Sequence, residues 1–468
     1  MLKQLQIKNF KGWKDTGPIR LAPITLFFGA NSSGKSSIGQ FLMMLKQTVE
    51  YPDRKAIFYP GGRNSAVQLG SYQEMVFLRD RKNRIAFDYK WSLPETMKVK
   101  DPLSGQVFSG DELDFSAEVE LSDATHHLLQ VLQVSKFKYR LLNEDEPSFS
   151  IELSKNPDKV GKFEYTTAAE SYTLVRKPMR AWAIKNVVRF YGFPDEVVAY
   201  YQNADFVQDL NLAQEKLFNS ISYLGPLRTK AERLYTWGGV TPESVGIAGE
   251  NTVAAILSAR DRKISLGYKR PAKPLEEIIA LKLKEMGLIE KLKVNPISEQ
   301  RQEYEVRVCI NKGSKDGVDL PDVGFGVSQV LPVLVQCFFA PAGSIIIMEQ
   351  PEIHLHPSAQ AALADVMIDV INSRENGMNR GIQLIIETHS EHFLRRLQRR
   401  IAEDAIPQEK VSAYFANINK TPATLESLQI DIFGNIKNWP ENFFGDEMGD
   451  ITKHASAALQ KRIMNARQ

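Results

Sequence analysis

Residues Gly29 to Ser37 read GANSSGKSS, in which two glycines frame Asn31, Ser32 and Ser33 and the second is followed by Lys35 and Ser36. Glycines let consecutive backbone N–H groups turn inward around phosphate oxygens, a lysine at this position reaches the β and γ oxygens, and the next hydroxyl ligates Mg2+. Ser36 is thus a candidate metal ligand. Gly29, Asn31, Ser32, Ser33, Gly34, Lys35 and Ser37 complete a candidate nucleotide cradle. A Gly/Ser-rich structural turn is the alternative, but an apolar strand precedes this loop and an amphipathic helix follows it, as a phosphate loop requires.

Three stretches far downstream could serve the same chemistry. In SIIIMEQPEIHLHP, the apolar run Ile345 to Met348 ends in Glu349; a buried strand delivering a carboxylate beside a phosphate loop can hold Mg2+. In DVGFGVSQVLPVLVQ, Gly324, Gly326 and Ser328 precede an apolar helix, and flexible backbone at a helix start can approach a γ-phosphate or form an ordinary loop. In IQLIIETHSEHFL, a strand ends in Glu387, Thr388, His389 and Ser390, and a histidine there can hydrogen-bond a γ-phosphate or be structural.

Strand and helix patterns must bring these pieces together. Residues 1–65 carry a first strand, the phosphate loop and a helix with Ile38, Phe41, Leu42 and Leu45 on one face. From 66 to 170, runs such as RIAFDYKWSL and DFSAEVEL alternate in the strand manner, predicting an antiparallel β lobe. Residues 171–312 read as a helical insertion with a return strand, and 313–425 resume alternating strands and helices, the pattern of a largely parallel sheet covered by helices. A tail module fills 426–468.

The chain has 468 residues, 43% hydrophobic and 25% charged, with a net charge of +3. These values point to a globular protein and neither demand nor exclude a nucleic-acid partner. Cys309 and Cys337 are too few for a disulfide framework and fit a reducing cytoplasm as buried thiols. No apolar run reaches the roughly 18 residues of a membrane span, so no membrane association is expected.

The order of phosphate loop, glycine-containing segment, EQPEIHLHP and ETHSEHFL, with QIKNFKGW before the loop and YLGPLR in mid-chain, resembles the ABC-type ATPases of the OLD, RecF and SMC group. Within that group it is similar to compact bacterial ATPases of phage-defence operons, including Septu ATPases, and IDIFGNIKNWPENFFGD resembles an uncharacterised tail module. The resemblance implies an α/β fold: a P-loop NTPase head of ABC type, its mostly parallel sheet flanked by helices, with an antiparallel β lobe and a helical insertion. It also implies ATP and Mg2+, with Gly324, Gly326 and Ser328 acting as a signature that reaches the nucleotide of a second subunit.

On this resemblance Glu349 is the Mg2+ acid, His356 occupies the D-loop position, His389 is the switch histidine, and Gln68 or Gln73 is the glutamine that reaches the metal. Gln350 stands where the family carries its catalytic glutamate, and Glu352 is the nearby replacement. A neutral amide can orient water but cannot take its proton, so Gln350 implies slow turnover unless Glu352 substitutes. The expected protein is a homodimer or higher homo-oligomer, the sensor or regulatory subunit of an anti-phage complex with a separate effector such as a nuclease or toxin. The rival expectation is a RecF- or SMC-like ATPase that binds DNA directly in repair or recombination. Arg228 of YLGPLR could reach phosphate, and Arg395, Arg396, Arg399 and Arg400 form a basic helix face.

Overall fold

The apolar runs ending in Gly29, Glu349 and Glu387 lack polar alternation, and such strands are stable only when both faces are covered. In the computed structural model they lie together in a six-stranded sheet ordered Ile221–Leu224, Ile345–Glu349, Gln383–Glu387, Ile24–Gly29, Val411–Asn417 and Thr424–Ser427. The first five strands are parallel and the last is antiparallel. The structure describes residues 1–30, 33–122, 131–155, 165–170, 172–179, 187–298, 301–311, 317–417, 422–440, 443 and 447–465.

Alternate side chains of the central sheet enter two separate cores. Phe27, Ile345, Ile347 and Ile385 face a core shared with the helix Lys35–Glu50, whose Ile38, Phe41, Leu42 and Leu45 are all buried as the spacing predicts. Phe28, Ile346, Met348 and Ile386 face the other core, covered by the helices Phe325–Phe339, Pro357–Asn372 and Glu391–Ala402. Phe443 of the tail joins this second core, stacking on Phe415 at 4.9 Å and reaching Phe28 at 5.2 Å.

The expected antiparallel lobe is an eight-stranded sheet built around the long strands Ile85–Lys100, Val107–Leu121 and Leu132–Asn143. Ile85, Phe87, Tyr89 and Trp91 alternate inward and merge this lobe with the first core. The N-terminal strand Leu2–Phe10 pairs with Ile85–Lys100 in this sheet, not in the central one. Its far end turns at Lys11, with a positive φ of 49°, and so delivers Lys11 and Trp13 to the phosphate-loop helix. The stretch between the lobe and residue 312 combines helices such as Val207–Asn219 and Leu275–Glu285 with a small sheet that includes Lys291–Pro296 and Glu303–Cys309. Cys337 is buried as expected, whereas Cys309, on that small sheet, is half-buried. Among the described residues no helix is long and apolar enough to cross a membrane.

Candidate functional site

Two glycines give the loop its shape for different reasons. A Cβ on Gly29, whose φ is 143°, would lie 2.4 Å from the carbonyl oxygen of Ala416 on the adjacent strand, so backbone packing forbids a side chain there. Gly34 has φ 87° at the N-cap of the helix, and the Trp13 ring lies 3.3 Å from where its Cβ would be. Trp13 Nε1 donates to Ser37 Oγ at 2.8 Å, which fixes the first turn of the helix from outside. Lys35, 4% exposed, donates to the carbonyls of Gly29 at 3.1 Å and Ala30 at 2.8 Å. Asn31 and Ser32 lie outside the described residues.

Lys35 and Ser36 face two carboxylates. The strands Ile345–Glu349 and Gln383–Glu387 pair in parallel with Glu349 opposite Glu387. Lys35 Nζ is 3.8 Å from Glu387 Oε1. Burial first, and then the charge of Glu387, push the Glu349 carboxyl up to about 7, while the Tyr223 hydroxyl donates to Glu349 Oε1 at 2.8 Å and Lys11 pulls the other way. Glu387 is also raised by burial, opposed by hydrogen bonding from Ser36 and the charge of Lys35. Its Oε2 is buried with no hydrogen-bond partner among the described residues. Two like charges and an unsatisfied oxygen beside a hydroxyl make an oxygen-donor set that a hard divalent cation fits.

After Glu349 the chain makes a constrained turn, with positive φ at Gln350 (46°) and His354 (62°). Three contacts hold it. The Gln350 N–H donates to the Glu387 carbonyl at 2.8 Å. Glu352, 6% exposed, accepts from the backbone N–H of His389 at 2.8 Å, and burial raises its pKa. The buried Arg228 guanidinium donates to the Glu349 carbonyl at 3.2 Å and, at the outer limit of 3.5 Å, to that of Gln350; burial pushes its pKa down to about 10. Arg228 therefore braces the acidic turn through the backbone. His389 has its pKa lowered by burial and by Lys35, which favours the neutral imidazole.

Within the chain the glycine-containing segment packs on the turn after Glu349, at His354. Gly324 and Phe325 are exposed at the start of their helix, and Ser328 Oγ donates to the Phe325 carbonyl. Phe325 packs edge-on against His354 at 5.0 Å, and the His354 carbonyl lies 3.1 Å from where a Gly326 Cβ would be. His356 caps the helix Pro357–Asn372 by accepting from the Ser358 N–H. Gln68 donates to the Arg63 carbonyl and Gln73 accepts from Arg81, and among the described residues neither glutamine bonds the phosphate loop. Each arginine of the 395–400 helix face has an acidic partner: Arg396 and Arg400 share Asp365, Arg395 meets Glu391, and Arg399 meets Glu403. Among the residues at the centre, Glu387, Tyr223 and Lys11 fall in the stretches ETHSEHFL, YLGPLR and QIKNFKGW, but the sequence gives none of the three a role. The one available signal is that IIIME and LIIE are both apolar strands ending in glutamate.

Residues 1–180 and 262–394 match the family described as AAA ATPase domain, well over half of the chain. The chain belongs to this ATPase family. Its residues 406–453 match a second family, described as a protein of unknown function (DUF3696). No curated protein matches. Among solved structures, the SmcHead bound to the C-winged helix domain of ScpA is similar at 12% identity and a TM-score of 0.43, over 92% of this chain and 98% of that one. The SMC head domain from Thermotoga maritima is similar at 10% identity and a TM-score of 0.39, over 92% of this chain and 99% of that one.

Proposed function

We propose that this ATPase-family chain is an ABC-type switch that binds Mg2+·ATP between the phosphate loop and the paired carboxylates, closes against a second copy, and hydrolyses slowly. The observation that carries this reading is the placement of Lys35 and Ser36 against Glu349 and Glu387 at the ends of adjacent parallel strands. Ser36, Glu349 and Glu387 would hold the cation, which would offset charge on the β- and γ-phosphates. Lys35 would exchange its carbonyl contacts for phosphate oxygens. Gln73 is assigned as the glutamine that reaches the cation, because Met75 of its segment accepts from the Lys11 N–H and the charge of Lys11 is felt at Glu349.

Gln350 can orient a water molecule but cannot accept its proton, and general-base help is worth about 10²- to 10⁴-fold. Glu352 is assigned as the latch that holds His389, since its carboxylate already accepts from that backbone. Exposure of Gly324 and Phe325 at the start of their helix supports use of this segment by a second copy. A nucleotide-held dimer of this kind suits a regulatory subunit that acts through a separate effector. The test is hydrolysis by wild type and Glu387→Gln in Mg2+: the substitution should reduce the rate at least about 10-fold while the fold is kept, and an unchanged rate would remove Glu387 from the cation site.

A further inference from the structure

The strand Ile221–Leu224 is an edge of the central sheet, hydrogen-bonded on one side to Ile345–Glu349. In this register Ser220 and Ser222 point their backbone groups at the neighbour, as the bond from the Ile345 N–H to the Ser220 carbonyl shows. The N–H and C=O of Ile221 and Tyr223 consequently point outward. No hydrogen bond among the described residues uses them. A row of outward N–H and C=O groups is a ready template for a further strand, and natural sheets normally cover or blunt such an edge.

That edge forms part of the lining of a groove of about 710 Å³. One wall is the second half of the Lys35–Glu50 helix, extended by Tyr51, which stacks on Tyr59 with ring centroids 4.0 Å apart. The opposite rim carries the exposed Glu243 and Glu250. Lys46 in the wall is already paired with Glu50, which leaves Lys216 as the other cation of the lining against those two acids. The groove thus offers two outward donors, two outward acceptors, an aromatic ledge and an acidic rim.

We propose that this groove takes an extended segment of a separate protein, added as a further strand beside Ile221–Leu224, with Lys or Arg at alternate positions facing the rim. Strand addition of this kind draws affinity from main-chain hydrogen bonds and specificity from alternate side chains. The groove also touches the nucleotide site twice: its wall is the helix that starts at Lys35, and its floor includes Tyr223, whose hydroxyl holds Glu349. Occupancy would therefore bear on the acid that the proposed ATPase reading assigns to the cation, and this coupling rests on that reading.

The test selects random linear displayed peptides on the full-length chain and maps the synthetic winners by hydrogen exchange. Winners should be enriched in alternating Lys or Arg, protect the Ile221 and Tyr223 amides, lose about 10-fold in affinity when N-methylated at residues of one parity only, and weaken on Glu243→Lys. Selection that yields no binder, winners that leave those amides unprotected, or indifference to N-methyl parity would overturn the proposal. Mg2+·ATP is titrated into the same preparation, so that loss of strand addition with intact nucleotide binding counts against the groove alone.

Discussion

Glu349 and Glu387 end adjacent parallel strands in register, which sets two buried carboxylates beside the ammonium of Lys35. Each is held above its ordinary pKa mainly by burial, and Glu387 adds to the rise at Glu349.

This arrangement predicts how stability depends on pH without nucleotide. Glu349 titrates at 4.5 when unfolded and near 7 when folded, so the folded state keeps a proton that the unfolded chain has released. Its contribution is most favourable below about 4.5 and is lost as pH rises through about 7, by at most about 3 kcal/mol. Thermal melts should show Glu349→Gln gaining on wild type between pH 5 and pH 8, by an amount of about that order. Parallel pH profiles for the two proteins would contradict the raised pKa of Glu349.

Glu352 separates a latch from a base. Glu352→Gln keeps an oxygen that can accept the His389 N–H, whereas Glu352→Ala does not. Single-turnover hydrolysis should therefore fall only a few-fold in the glutamine variant and about 10-fold or more in the alanine variant, and Gln350→Glu should be faster than wild type. Complete loss in Glu352→Gln with ATP binding intact would make Glu352 the proton acceptor.

The phosphate loop is legible in the sequence because its chemistry is local. Gly29, Gly34, Lys35 and Ser36 fall within one short stretch, although what crowds the two glycines, the Ala416 carbonyl and the Trp13 ring, comes from elsewhere in the fold. The strand ends are legible as elements but not as neighbours. That Glu387 lies beside Glu349 depends on the strand Gln383–Glu387 inserting between Ile345–Glu349 and Ile24–Gly29, an order that periodicity does not encode. Arg228, a candidate phosphate ligand in the sequence, is seen to brace the acidic turn only once its carbonyl partners are in place. Lys11 stands in QIKNFKGW and Tyr223 opens YLGPLR, but neither stretch says which of its side chains will reach Glu349.

The segment Gly324 to Ser328, exposed at Gly324 and Phe325 and half-buried at Gly326 and Ser328, predicts assembly linked to nucleotide. Ser328→Arg is a cleaner test than a change at Gly326, where even a Cβ would lie 3.1 Å from the His354 carbonyl. Sedimentation should show wild type shifting to a larger species with a slowly hydrolysed ATP analogue, while Ser328→Arg binds the analogue and stays small. Identical shifts in both would take this segment out of the interface.

The most direct test of the account is calorimetric titration of Mg2+·ATP into wild type and Lys35→Ala. Lys35 is buried inside the loop, held by the carbonyls of Gly29 and Ala30, and stands 3.8 Å from Glu387. Removing its charge should weaken binding by at least about 100-fold while the melting curve still shows a folded protein. Equal affinity in the two proteins would contradict the assignment of this loop as the nucleotide site.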